Sequence, residues 1–144
     1  MASKMITHEK IISKGNMSEL RGVIAKILCL ARSFDYTEDE VFSIHLSLEE
    51  AIVNAVKHGN DGDIEKTVTV EYSVTPQKAD VIVTDEGSGF DPDKLKDPRF
   101  GENLYKSDGR GVLLIKSYMD FVEYIGSGKG VHLIKYRHKS MPAQ

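Results

Sequence analysis

The chain has 144 residues, 40 % apolar and 28 % charged, values that suit a single globular domain, 1–144, around one core. A formal net charge of −3 argues against nucleic acid as a direct partner, since binding a phosphate backbone calls for a basic surface. The amino terminus, MASKMITHEK, lacks the apolar stretch of a secretory signal, and no apolar run approaches a membrane span. The single cysteine, Cys29, excludes an internal disulfide framework, so a cytoplasmic protein without membrane association is expected.

In chain order, ITHEKIISKG (6–15) reads as a first strand. Residues 18–33 have helical periodicity in Leu20, Val23, Ile24, Ile27, Leu28 and Ala31, and Cys29 in this stretch reads as a small core residue. Thr37, three residues before Glu40, forms a capping box that opens a second helix, expected to stop near Gly59. The period then changes to alternation. TVTVEYSV (67–74) and ADVIVTD (79–85) are strands joined by a turn around Pro76. Residues 86–110 form a long loop rich in Gly, Pro, Asp and Lys. GVLLIKSYM begins a third helix after Gly109, FVEYI and GVHLIKYRH pair across GSGKG, and SMPAQ is a frayed tail. These elements predict an α+β fold, a two-layer sandwich with helices on one face of a mixed, mostly antiparallel sheet.

Three stretches carry chemistry. The first is EEAIVNAVKHGN, in which Glu50, Asn54 and His58 recur every four residues on one helix face. Val41, Ile44, Leu48, Ile52 and Ala55 cluster on the opposite side, whereas Ser43, Ser47 and Lys57 accompany Glu50 and Asn54. The row is either a solvated face or a set of ligands. In favour of ligands, Leu46 and Val53 flank it, and a carboxylate beside an amide can take a proton and ligate a hard cation such as magnesium. Zinc fits poorly, because Asn is a poor zinc ligand and there is no HExxH.

The second stretch is VIVTDEGSGFDP. Asp85 ends a strand, and Gly87 and Gly89 let a ligand approach the main chain. The carboxylate can accept a hydrogen bond from an exocyclic amine, or the segment is ordinary turn chemistry. It lacks the third glycine of a dinucleotide fingerprint, and GSGKG is not a Walker A loop. The third is SDGRGVLLI, where Gly109 and Gly111 bracket Arg110 at a helix start. Free N–H groups there, with the guanidinium, suit phosphate, although a glycine-eased junction would look the same.

Taken in this order, the three stretches resemble the N, G1 and G2 boxes of the GHKL ATPases, which have the Bergerat fold. More narrowly, EEAIVNAVKHGN, DEGSGFDP, GRGVLLIKSYMD and GVHLIKY resemble the bacterial anti-sigma factor serine/threonine kinases over residues 37–138. The resemblance implies ATP and Mg2+ as cofactors. It implies Glu50 as general base, Asn54 as magnesium ligand, and Asp85 as acceptor of the adenine amino group in a pocket shaped by Gly87 and Gly89. Residues 91–108 correspond to an ATP lid, and Gly109, Arg110 and Gly111 to phosphate contacts. No role carries over for Lys57 or His58. Two departures bear on the phosphate contacts. Lys129 stands where many relatives carry Thr, and the lid is poor in arginine, keeping Arg99 and Lys106.

By the same resemblance, the expected activity is ATP-dependent phosphorylation of a STAS-domain anti-anti-sigma factor, alternating with capture of a sigma factor, and a homodimer is a common form in the group. The competing expectation is a nucleotide-sensing module without kinase activity. The carboxylate of Glu50 discriminates between them, because a module that only binds needs no base.

Overall fold

The computed structural model describes residues 6–60, 62–87, 115–126 and 129–138, with residues 58 and 59 described in backbone only. Strand β1 (His8–Ser13) leads into helix α1 (Met17–Ser33) and helix α2 (Glu38–Val53), which is prolonged by a π-helical segment, Asn54–Gly59. Strands β2 (Val68–Val74) and β3 (Lys78–Asp85) follow, then a helical turn at 115–118, then β4 (Phe121–Ile125) and β5 (Gly130–Tyr136).

Local chemistry explains the helix starts. The Asn16 side chain accepts the Glu19 N–H at 3.0 Å and caps α1. The Thr37 hydroxyl accepts the Glu40 N–H at 3.1 Å, while Glu40 Oε1 accepts the Thr37 N–H at 2.8 Å, which is the expected capping box. The other oxygen of Glu40 accepts the His138 N–H at 2.6 Å, so this nearly buried carboxylate also fastens the chain end beyond β5. Between the helices, Asp35 sits at φ 63°, a left-handed conformation that Asp tolerates better than most residues.

The strands form one five-stranded sheet in the order β1-β2-β3-β5-β4. Among the described residues all its pairings are antiparallel, in keeping with the mostly antiparallel sheet that the sequence suggested. Alternation decides its faces. Val68, Val70, Tyr72 and Val74 of β2 and Ala79, Val81 and Val83 of β3 are buried on one side. Both helices pack on that side, giving a two-layer α+β fold. Leu20, Ile27, Ile44, Leu48 and Ile52 are fully buried between the layers, each contributing about 1.5–3 kcal/mol of transfer free energy.

Three expectations change. Cys29 is exposed, because it lies on the far side of α1 from Ile27 and Ala31. The second helix does reach Gly59, but its last six residues are π-wound, and the left-handed glycine of the exit is Gly62, at φ 71°. On α2 the buried arc is wider than the apolar residues alone mark. Ser43 and Ser47 are buried with them. The start of the third helix, the lid at 91–108 and the tail lie outside the described residues, whereas 115–118 is helical as expected.

Candidate active site

The π-helical segment packs against β3, which brings the first and second sequence stretches together. Glu50 lies in the last turn of α2, and Asn54 is the first residue of the π segment. Both are half-buried, at the margin of the buried arc rather than opposite it. Lys57 is exposed, as a solvated position should be. Neither the Glu50 carboxylate nor the Asn54 amide has a hydrogen-bond partner among the described residues. Two adjacent polar groups without partners, one anionic and one a neutral oxygen donor, suit a hard cation that keeps several waters. Asn54 would hold that ion, and Glu50 would keep its carboxylate for a proton. Beyond Asn54 the chain is π-wound through Gly59, and the side chain of residue 58, third in the expected row, lies outside the described residues. Among the described residues no three His, Cys, Asp or Glu side chains gather as a metal cluster.

Asp85 ends β3. Its N–H donates to Lys129 O on the β5 side at 2.8 Å, and its Oδ1 accepts the Gly87 N–H at 2.8 Å. Oδ2 is left without a partner among the described residues. Burial raises the Asp85 carboxyl pKa above the usual carboxylate range, against the Gly87 hydrogen bond and the charges of Lys129 and Lys66. A half-buried carboxylate with one oxygen fixed and one free is an acceptor awaiting a donor. Gly87 is buried just past it. Lys129, in the position where threonine was expected, contributes its carbonyl to Asp85 and its positive charge to the neighbourhood. Gly89, Gly109, Arg110 and Gly111 lie outside the described residues.

One residue of the site has no role in the sequence reading. Asn60 is 1 % exposed; its Oδ1 accepts the Glu86 N–H at 2.8 Å and its Nδ2 donates to Thr67 O at 2.9 Å. Its position at the end of the first stretch was visible, but nothing local distinguishes it from an ordinary helix-ending Asn. Thr67 in turn donates its N–H and its hydroxyl to Glu86 Oε1, at 2.5 and 2.7 Å. The hydroxyl and backbone bonds from Thr67 hold the Glu86 carboxyl below its ordinary pKa.

The strand-end turn at Asp85 thus lies beside the end of α2, on a two-layer fold consistent with the GHKL ATPases. The histidine kinase-like ATPase domain family matches residues 14–135, and the chain belongs to that family. It is 31% identical over 126 residues to the serine-protein kinase RsbW of Bacillus subtilis, covering 82% of this chain and 79% of that one. It is 31% identical over 114 residues to RsbW of Listeria innocua, covering 74% and 73%. It is also 31% identical over 111 residues to the anti-sigma F factor of Bacillus thuringiensis, covering 74% and 76%. The narrower resemblance seen in the sequence, to anti-sigma factor kinases, agrees with these names. No helix among the described residues is long and apolar enough to cross a membrane.

Proposed function

We propose that this chain is an ATP-dependent protein serine/threonine kinase that also acts as an anti-sigma factor. In this reading it phosphorylates a STAS-domain anti-anti-sigma protein and, in its other state, binds a sigma factor, working in the cytoplasm and most simply as a homodimer. The observation that carries the reading is the half-buried Glu50 carboxylate, unpartnered and one helical turn from the unpartnered Asn54 amide.

Each residue has a separate task. Asp85 accepts the adenine amino group through its free oxygen and so fixes the base. Asn54 holds magnesium, which when bound offsets the charge of the phosphates. Glu50 orients the substrate hydroxyl and takes its proton as the bond to phosphorus forms. Gly89, Gly109, Arg110 and Gly111 are assigned to the nucleotide pocket and phosphates, and residues 91–108 to a lid, by resemblance alone. Such a transfer depends mainly on positioning and electrostatics, which suits a site built at the junction of a helix end and a strand end.

The second reading, a nucleotide-sensing module without kinase activity, is disfavoured by Glu50, which binding alone does not require. Glu50→Gln decides between them. The variant is expected to bind Mg-ATP like the parent and to transfer phosphate to its STAS-domain partner about 10²–10⁴-fold more slowly. Transfer at the parent rate would remove Glu50 from catalysis, and absence of transfer by the parent with its cognate partner would favour the sensing module.

A further inference from the structure

We propose that Asn60 is a positioning residue for Asp85: its carboxamide replaces one rung of the β2–β3 ladder and so sets where β3 leaves the sheet. The proposal rests on the reading of Asp85 as the acceptor of the adenine amino group.

The ladder between β2 and β3 runs from Val74↔Ala79 to Val68↔Asp85, and the next rung would pair Thr67 with Glu86. The Asp85 N–H points to β5, where it meets Lys129 O. The Glu86 N–H therefore points toward β2, as alternation in an antiparallel sheet requires. In a continued ladder it would donate to Thr67 O. Instead it donates to Asn60 Oδ1, and Thr67 O accepts from Asn60 Nδ2. The side-chain amide is inserted between the two peptide groups, acceptor toward one and donor toward the other. A primary amide offers both on two separate atoms, and its two partners fix which way it is turned. The remaining donor of the missing rung, Thr67 N–H, is taken by Glu86 Oε1, which also accepts the Thr67 hydroxyl.

The strands are thus held apart one residue beyond Asp85 with both N–H groups of the rung and Thr67 O satisfied. Glu86 lies between Asp85 and Gly87, whose N–H holds Asp85 Oδ1. Asn60 follows directly on the π segment that begins with Asn54. The amide therefore ties the magnesium-facing helix end to the adenine-facing turn. Without it, Thr67 O and Glu86 N–H can close on each other as an ordinary rung. That closure moves Glu86, and with it the Asp85–Gly87 turn.

The test is calorimetric titration of the full chain, with magnesium, using ADP and purine-riboside diphosphate, which lacks the 6-amino group. The parent is expected to favour ADP by about tenfold or more, the scale of one hydrogen bond to a charged group. Asn60→Ala is expected to weaken ADP binding while leaving the deamino analogue little affected, so the ratio falls toward unity. Glu86→Ala, at an exposed side chain, releases Thr67 but keeps the Asn60 bridge and is expected to give an intermediate ratio. A merely structural role for Asn60 would weaken both nucleotides equally; that result, or an unchanged ratio, overturns the proposal. If Asn60→Ala does not fold, Asn60→Asp, which keeps an acceptor for the Glu86 N–H but cannot donate to Thr67 O when ionised, decides alone, and a parental ratio overturns the proposal. A parent that does not distinguish the two nucleotides refutes the adenine reading of Asp85 itself, and the proposal with it.

Discussion

Replacing Asp85 by Asn separates recognition from folding, because the two should move in opposite directions. The Asp85 carboxylate accepts the Gly87 N–H on Oδ1, and the proposed function gives its Oδ2 the adenine amine. An amide has one acceptor end and one donor end. With its oxygen toward Gly87 its NH2 confronts the amine; turned round, its NH2 confronts the Gly87 N–H. In either orientation one N–H loses its acceptor. A hydrogen bond to a charged group is worth about 1.5–3 kcal/mol, so nucleotide affinity should fall by about 10- to 150-fold. Stability should change the other way. Burial raises the Asp85 pKa, so in the nucleotide-free protein the ionised group opposes folding. With the folded pKa above the unfolded one, this penalty is absent at low pH and appears as pH rises through the carboxylate range. Asp85→Asn removes it, and the ligand-free variant should melt above the parent at neutral pH, with the gap closing in acid. Calorimetric titration with ADP and thermal melting across pH read the two effects. Unchanged affinity would take Asp85 out of the site, and a lower melting temperature alongside weaker binding would indicate damage to the turn rather than lost recognition.

The remaining predictions concern α2 and its extension. The Asn54 side chain has no structural partner among the described residues, so Asn54→Ala should fold normally and lose the magnesium-dependent part of its affinity for ATP together with phosphate transfer. Titration with and without magnesium checks this, and an unchanged metal dependence would reassign the ligand. Ser47 and Leu48 are both 0 % exposed, but the Ser47 hydroxyl has no hydrogen-bond partner among the described residues. Ser47→Ala should therefore be neutral or slightly stabilising in urea denaturation, whereas Leu48→Ala should cost about 2–5 kcal/mol. A large loss from Ser47→Ala would reveal a bond to its hydroxyl.

The sequence by itself determined the elements and their order, because each was set by neighbours a few residues away. The Thr37–Glu40 box starts α2 whatever lies around it, and the alternation of Val68, Val70, Tyr72 and Val74 allows only a strand with one buried face. Glu50 and Asn54 were legible in the same way, since four-residue spacing on a helix is a local relation. Three things were decided by tertiary structure. Cys29 proved exposed and Ser43 and Ser47 buried, because the angular position of a residue says which side it takes but not how many neighbours cover that side. The π winding after Val53 is a change of pitch at the end of the second helix that hydrophobic periodicity does not encode. Asn60 bonds to residues 7 and 26 positions away, in a gap that exists only once β2 and β3 have paired. An amide that stands in for a ladder rung has no sequence signature, because its two partners are backbone groups that every residue carries.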